Sequence, residues 1–400
     1  MQRKILSIAA SLLMCAAAFC QEVASEFVPP KELTPSVSQE NGIVDAVALI
    51  EDAGDNGKAL QLIDSLRTLY PDNDALHYYA GVCEYSLRKP TEAIESFRKA
   101  CELDSLNLAY KEALAASYGA IGDGEHAGEI YLELTQKDPR KYRNAYTLTL
   151  IADAYRMKRD FPRYFETLEE FARDESVNPE AKYKYLLSAV SRFDPKTFET
   201  ITPRILQLCD VFTQTHPASY DAHKLKMQIC AATEDYSGVI EEAGKMASLT
   251  GDPAERSEMF GLIGDMWHNL GNERKTFSYY ESALKLNPNN SSVLNNWAWH
   301  LCSGKNGRKA SKSALKKALQ MAQRAVEQDP DNATMLDTLG WILFLQGKPQ
   351  EAKPYFKHAM LYGGKDSATV LRHYAEVLKA LGDEDLSQYY RGLADSKKAD

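Results

Sequence analysis

The sequence predicts an all-α fold built as a solenoid of antiparallel helix pairs. Landmark residues recur with a period of about 34 residues from residue 40 onward. Within each period, spacings of three and four residues mark one helical face, and a second such face follows after a short break. A single helix pair leaves apolar surface uncovered, so neighbouring pairs are expected to stack on it. The usual expectation of two or three globular domains for 400 residues therefore does not apply.

The period is clearest in residues 257–290. The landmarks there, at positions 4, 7, 8, 11, 20, 24, 27 and 32 of the window, are Phe260, Ile263, Gly264, Trp267, Thr276, Tyr280, Ala283 and Pro288. Most of these landmarks return in register in four other windows: 40–73, 74–107, 108–141 and 333–366. One such window would be weak support, but several in register predict an array of helix pairs.

The remaining windows are less regular. Those with fewer landmarks are 145–178, 220–253, 367–400 and 291–332, the last of which carries about eight inserted residues. Residues 179–219 are interpreted as an irregular, stretched helical repeat. Pro195 and Pro203 are expected to break the middle of this repeat, because proline interrupts a helix interior.

Glycine and proline are expected to end the helices. Gly122, Gly271 and Gly347 share position 15, just beyond the first helix, where glycine commonly stands. Prolines at position 32 are expected to end the second helices; they are Pro71, Pro139, Pro288 and Pro330.

Gly340 lies in the middle of an apolar first helix, where glycine costs about 1 kcal/mol relative to alanine. It occupies position 8 of its window. Ala352 and Ala359, at positions 20 and 27, are small residues on the second helix. We expect these small residues to face each other and to let the two backbones approach closely, so that the packing gained offsets the cost of glycine.

This pattern resembles the tetratricopeptide repeat family, whose signature combines small, bulky and proline positions at this period. The resemblance runs from residue 40 to the C-terminus. It implies a right-handed superhelical solenoid of antiparallel helix pairs, the TPR-like α-α superhelix. Three segments are predicted within it: an N-terminal repeat block (40–178), the stretched repeat (179–219) and a C-terminal repeat block (220–400).

The first 20 residues are interpreted as a secretory signal peptide. Arg3 and Lys4 precede an apolar run, ending at Phe19, that is too short to span a bilayer. Cleavage after Cys20 would leave Gln21 first, and the chain would be periplasmic or otherwise associated with the cell envelope. Lipidation of Cys20 is the alternative. Lipoprotein signals, however, have Gly, Ala or Ser at the position before the cysteine, which Phe19 occupies here. Residues 21–39, which hold three prolines, are predicted to be a flexible N-terminal arm.

Charge and motif content narrow the functional classes. A net charge of −9 disfavours nonspecific nucleic-acid binding, in which Lys and Arg must neutralise phosphates. The sequence holds no zinc-protease, serine-hydrolase or phosphate-loop motif, and its histidines are scattered, so no catalytic residue, metal site or cofactor is predicted. Stacked repeats would bring Cys209 and Cys230 together. Buried thiols are favoured over a disulfide there, because the mature chain holds an odd number of cysteines.

The resemblance also predicts a binding surface. In the family, positions 2, 5, 9 and 12 of the first helices line a concave groove. Two adjacent windows place an aromatic and polar patch at such positions: Asn295, Trp299, Asp337, Trp341 and Phe344. Tryptophan can bury a large area and offers an N–H donor, which suits a partner contact. Alternatively, the rings pack between neighbouring first helices as part of the scaffold. The clamp of Lys and Asn residues with which some members grip a C-terminal carboxylate is not evident here, where positions 5 and 9 hold Asn295, Trp299, Asp337 and Trp341.

A second candidate surface is basic. The inserted segment carries no acidic residue between 303 and 320, and its basic residues are Lys305, Arg308, Lys309, Lys312, Lys316 and Lys317. If the helix begins near Lys309, then Lys309, Lys312 and Lys316 form one stripe. Such a stripe in an acidic chain could bind an anionic polymer, a lipid head group or an acidic partner. The alternative is a solvated helix face.

We therefore expect the protein to be a non-enzymatic protein–protein interaction scaffold or assembly factor of the cell envelope. It would bind a peptide or protein partner through the groove, without nucleic acid, cofactor or transmembrane span. The alternatives are an enzyme whose repeats only present the substrate, and a lipid-anchored outer-membrane component.

Overall fold

The computed structural model describes residues 41–51, 54–303 and 310–397. These residues form α-helices joined by short turns, with one 3-10 turn and no β-strand. The predicted all-α class is therefore confirmed. The predicted signal peptide (1–20) and N-terminal arm (21–39) lie outside the described residues.

The described residues contain 21 α-helices. In chain order they are α1 (Asn41–Glu51), α2 (Asn56–Leu69), α3 (Asp74–Ser86), α4 (Pro90–Leu103), α5 (Leu108–Ala120), α6 (Gly124–Lys137), α7 (Pro139–Tyr142), α8 (Ala145–Met157), α9 (Phe161–Arg173), α10 (Pro179–Ser191), α11 (Pro195–Thr215), α12 (Tyr220–Ala232), α13 (Tyr236–Leu249), α14 (Pro253–Asn269), α15 (Glu273–Leu286), α16 (Ser291–Cys302), α17 (Lys312–Gln328), α18 (Ala333–Leu345), α19 (Pro349–Leu361), α20 (Ala368–Ala380) and α21 (Glu384–Ser396). Apart from the single turn α7, the described helices form ten consecutive pairs, one for each repeat window. The solenoid of helix pairs is therefore confirmed.

The chain divides into two compact units, Met1–Ile229 and Cys230–Asp400. In the first unit, buried side chains of successive helix pairs form three apolar clusters. In the second unit, the largest cluster runs from Ala298 on α16 to Leu378 on α20. Each core is thus a row of contacts between neighbouring pairs, as expected when an amphipathic helix pair buries its face against the next one. None of the described helices is long and apolar enough to cross a bilayer.

Gly340 is explained by an aromatic ring. A Cβ atom added there would lie 2.7 Å from Cε2 of Phe356 on α19. The expectation that Gly340 faces Ala352 and Ala359 is therefore incomplete: both alanines are fully buried, but the phenyl ring occupies the space above the glycine. The same arrangement recurs in two other pairs, Gly264 with Tyr280 and Gly81 with Phe97. In all three pairs the aromatic ring at position 24 occupies the space in which a side chain at position 8 would lie. The first helix therefore keeps glycine at position 8.

The predicted glycine ends of first helices are confirmed. Gly122, Gly271 and Gly347 have φ angles of +79°, +73° and +78°. In each case the next residue donates its N–H to the carbonyl five residues earlier, as from Lys348 to Leu343 at 3.0 Å. This bond is the mark of a Schellman motif, which satisfies carbonyls left free at the helix end. Three repeats place other residues in the same left-handed conformation; they are Arg88, Arg159 and Glu234, with φ angles of 62°, 56° and 58°.

The stretched repeat is more regular than predicted. It consists of α10 and the 21-residue helix α11. Pro195 is the first residue of α11, where a missing N–H costs nothing. Pro203 lies inside α11 and does not break it, so that expectation is wrong. Ile201 and Ile205, on either side of Pro203, are buried in the core of the first unit, and we attribute the continuity of the helix to this packing.

Candidate functional site

The predicted groove residues lie on two neighbouring first helices of the second unit. Asn295 and Trp299 belong to α16, and Asp337, Trp341 and Phe344 belong to α18. These two helices contact each other directly. Asn295 and Asp337 are each only 5% exposed, whereas the three aromatic residues are half-buried against the core of this unit. The patch is thus partly a packing element and partly open surface.

His373 of α20 joins the patch, although the repeat pattern did not predict it as a site residue. Its imidazole stacks on Trp341, with ring centroids 4.0 Å apart and planes at 17°. Its Nδ1 lies 2.9 Å from Asp337 Oδ1, so the buried carboxylate has a partner on the next first helix. Phe344 stacks on the same indole at 5.1 Å. Trp341 is therefore held within its own repeats, whereas Trp299 makes a looser contact with His373 at 5.8 Å. The only sign of this contact in the sequence was the presence of a histidine in the first helix of the next repeat.

A hydrogen-bonded network extends this surface to α14. Asp265 of α14 accepts from the hydroxyl of Tyr280 and from Nδ2 of Asn296, the latter at 3.1 and 3.0 Å to its two oxygens. Nε2 of His300 lies 3.2 Å from the Tyr280 hydroxyl. His300 also stacks on His268, with centroids 3.6 Å apart. The network joins α14, α15 and α16 and holds the first helices in register.

Burial sets the protonation of this network. It raises the pKa of the Asp265 carboxyl above its ordinary value, against hydrogen bonds from Tyr280 and Asn296 that act in the opposite direction. Burial also lowers the pKa of His300 to about 4, and the neighbouring His268 contributes to that shift. His300 is therefore a neutral imidazole at neutral pH. The Tyr280 hydroxyl donates its hydrogen bond to Asp265, so it can only accept from His300, whose Nε2 then carries the imidazole proton.

The basic patch is only partly within the described residues. Lys305, Arg308 and Lys309 lie outside them. Lys312, Lys316 and Lys317 are exposed on α17, which begins at Lys312 behind the N-cap Ser311 rather than near Lys309. Lys317 Nζ lies 4.4 Å from the ring centroid of Trp297, a cation–π contact within the scaffold. One of the three described lysines is thus engaged with the protein itself.

Metal-ligating side chains and thiols were the first candidates for chemistry in the described part of the chain. No group of three or more His, Cys, Asp or Glu side chains there could hold a metal ion. Burial raises the pKa of the Cys83 and Cys302 thiols to about 12 and that of Cys101 to about 11, so these thiols are not reactive at neutral pH. Cys209 and Cys230, the predicted pair, are both buried.

Comparison with known families agrees with the repeat pattern. One tetratricopeptide repeat profile matches residues 216–398, and a second matches residues 51–107. The chain belongs to the tetratricopeptide repeat family. Tetratricopeptide repeats mediate protein–protein interactions, and this general role as an interaction scaffold follows from the family. No curated protein matches the sequence.

Solved structures of MamA resemble parts of this tetratricopeptide repeat protein. The structure titled "MamA RS-1 ArsTM double mutant" is 14% identical and covers 45% of this chain and 94% of its own, with a TM-score of 0.35. Two further MamA crystal structures, 14% and 15% identical, each cover 43% of this chain and 94% and 87% of their own, with TM-scores of 0.32 and 0.33. With scores this low, the family assignment rests on the repeat profiles alone.

Proposed function

We propose that this tetratricopeptide repeat protein is a non-enzymatic assembly factor that binds a peptide or protein segment through the first helices of its second unit. The observation that carries the proposal is the patch around Trp299. Its half-buried indole lies one helical turn after Asn295, which belongs to a polar network joining the first helices α14 and α16, so a partner could find both apolar area and oriented hydrogen bonds there. Large aromatic anchors of this kind commonly dominate the energetics of protein interfaces.

We further propose that the protein acts in the cell envelope. The basic start and short apolar run of residues 1–20 support export. Intact mass of the exported protein tests this proposal. A chain beginning at Gln21 without an acyl group supports a free envelope protein, and a diacylglycerol adduct on Cys20 would favour a lipid-anchored component instead.

Affinity capture tests the binding surface. The mature protein and the variant carrying Trp299→Ala with Trp341→Ala are used to capture partners from the envelope extract of the source cells, and the captured proteins are identified by mass spectrometry. We expect one partner to fall at least about tenfold in the double variant, because a truncated Trp anchor commonly costs 2 kcal/mol or more. Trp297→Ala is the matched control. Trp297 also lies on α16, but its ring stacks on Phe277 within the scaffold.

The outcomes separate the two interpretations of the rings. If the double variant melts far below the parent protein, the rings are mainly scaffold. If it stays folded and captures every partner as well as the parent, then the binding surface lies elsewhere, and the exposed lysines of α17 become the next candidate. Turnover of any substrate by the purified protein would favour the alternative of an enzyme.

A further inference from the structure

We propose that the first-helix face of α14, α16 and α18 recognises a basic side chain, lysine or arginine, of the partner segment. This inference rests on the proposed function, because it names the chemistry of the segment that the same face would bind. Three side chains on this face, one on each helix, carry the argument: Asp265, Asn295 and Asp337. All three offer oxygen acceptors.

The hydrogen bonds determine how the two neighbouring amides are oriented. An ionised carboxylate can only accept, so Asn296 must turn its Nδ2 toward Asp265, at 3.1 and 3.0 Å. Asn296 Oδ1 then faces Asn295, whose own Nδ2 donates to it at 3.3 Å. Reversing either amide would bring two acceptors or two donors together. Asn295 Oδ1 is thereby left at the end of the chain of hydrogen bonds as an acceptor.

That acceptor lacks a donor. Asn295 is 5% exposed, and its Oδ1 has no hydrogen-bond partner among the described residues. Buried carbonyl oxygens are nearly always paired, because an unpaired one loses its hydration without a replacement. Asn295 precedes Trp299 by four residues, so both side chains lie on one face of α16. A donor that arrived beside Trp299 would satisfy the unpaired oxygen.

The carboxylates on the same first helices favour a cation. No Lys or Arg side chain in the described part of the chain pairs with Asp265, and Asp337 pairs there only with His373. Neither carboxylate is therefore neutralised by a permanent cation. An acidic ligand would meet these carboxylates, while His373 is already engaged by Asp337 and His268 and His300 stack on each other. Lysine and arginine reach a recessed acceptor on a slender apolar stem and carry only donors at its end.

The half-buried ring of Trp299 adds a second reason for a basic ligand. A guanidinium or ammonium group over an indole face is attracted by the ring quadrupole, and the attraction grows as the site loses water. Because Asn295 and Trp299 are one helical turn apart on α16, an arginine that reaches Asn295 Oδ1 is expected to lie near this indole. The carbonyl acceptor of Asn295, the aromatic face of Trp299 and the carboxylates of this face thus all favour a basic side chain.

A small-probe titration of the full-length protein tests the inference. The probes are N-acetyl-arginine methylamide, its uncharged isostere N-acetyl-citrulline methylamide, and N-acetyl-glutamate methylamide. All four tryptophans lie in the second unit, so their indole N–H signals in a ¹H–¹⁵N spectrum report on this unit and are assigned with single Trp→Phe variants. We expect the arginine probe to shift the Trp299 signal saturably. The citrulline probe should bind about tenfold more weakly, and the glutamate probe should cause no shift.

A variant at Asn295 makes the test specific. Asn295→Leu removes the acceptor and should weaken binding about tenfold while the fold is kept, because the unpaired oxygen is removed with it. Asn56→Leu is the matched control, since Asn56 Oδ1 is another buried acceptor without a partner but lies in the first unit. It should leave arginine binding unchanged.

The inference is overturned if citrulline binds as well as arginine, if glutamate binds better, or if Asn295→Leu leaves arginine binding intact. These results are distinguishable from failure of the proposed function. Partner capture that depends on the tryptophans, without any response of Trp299 to arginine, would keep the binding surface and reject the basic ligand.

Discussion

Arg159 is the position where a single substitution should stabilise this protein through its backbone alone. It follows α8 with φ at 56°, in the left-handed conformation that glycine occupies at the matching positions Gly122 and Gly271. A residue with a Cβ pays roughly 1–2 kcal/mol there, whereas glycine loses about 0.5–1 kcal/mol more backbone entropy on folding. Arg159→Gly should therefore stabilise the fold by about 1 kcal/mol.

The side chain of Arg159 offers no compensating contact. It is exposed, and it makes no hydrogen bond or ion pair with the described residues. The backbone bonds at this turn, from Arg159 N–H to Arg156 at 3.0 Å and from Asp160 N–H to Tyr155 at 2.9 Å, do not depend on the side chain. The expected gain is thus the difference in backbone conformational free energy between arginine and glycine.

Native-state amide exchange is the assay, because repeats unfold locally rather than as one core. Amides of α8 and α9 should exchange about fivefold more slowly in Arg159→Gly, the factor that corresponds to 1 kcal/mol. Arg159→Ala removes the charge but keeps the backbone cost, so it should stay close to the parent protein. Gly122→Ala should lose a similar free energy around α5 and α6, where no atom lies within 4 Å of the added Cβ. Equal protection in the glycine and alanine variants of Arg159 would show that charge, and not backbone, sets the effect.

Two further predictions concern packing and pH. Gly340→Ala should destabilise the second unit by about 1–3 kcal/mol in urea unfolding, although alanine is the better helix former, because its Cβ would lie 2.7 Å from the Phe356 ring. In a Phe356→Leu background most of this penalty should disappear, and a penalty of unchanged size would refute the contact. Burial lowers the pKa of His300 from 6.5 to about 4. As pH falls, the unfolded chain therefore takes up a proton on this residue before the folded chain does, and the free energy of unfolding should decline from about pH 6.5 toward pH 4. His300→Gln should flatten that decline when unfolding is measured at pH 7 and pH 4.5, and an unchanged slope would assign it to another group.

Much of the fold could be predicted from the sequence because the relevant forces are local and periodic. The helical faces, the glycine after a first helix and the proline after a second helix each follow from the preferences of a few neighbouring residues. The ten helix pairs match the ten windows for this reason. The preference of proline alone gave a wrong prediction at Pro203, which lies inside the unbroken helix α11. The residues on either side of it, Ile201 and Ile205, are buried in the core.

The candidate site was predictable only in part. The register of the repeat placed Asn295, Trp299, Asp337 and the two other aromatic residues on adjacent first helices, and the structure places them there. Periodicity could not reveal His373, because the contact that joins it to Asp337 and Trp341 depends on how one pair stacks on the next. The unpaired oxygen of Asn295 could not be predicted from the sequence either. It is unpaired because of how the neighbouring amides are oriented, and Asp265, on another helix, fixes that orientation.

The period in the sequence was enough to predict the family, the fold class and the order of the helices, because each repeat encodes its own faces and ends. Tertiary contacts decided which atoms meet across the repeats. Those contacts depend on side-chain direction and on the distance between helices, and neither is determined by residues close together in the chain. They place the Phe356 ring over Gly340, engage Trp341 with His373, and leave one buried acceptor on α16 without a donor.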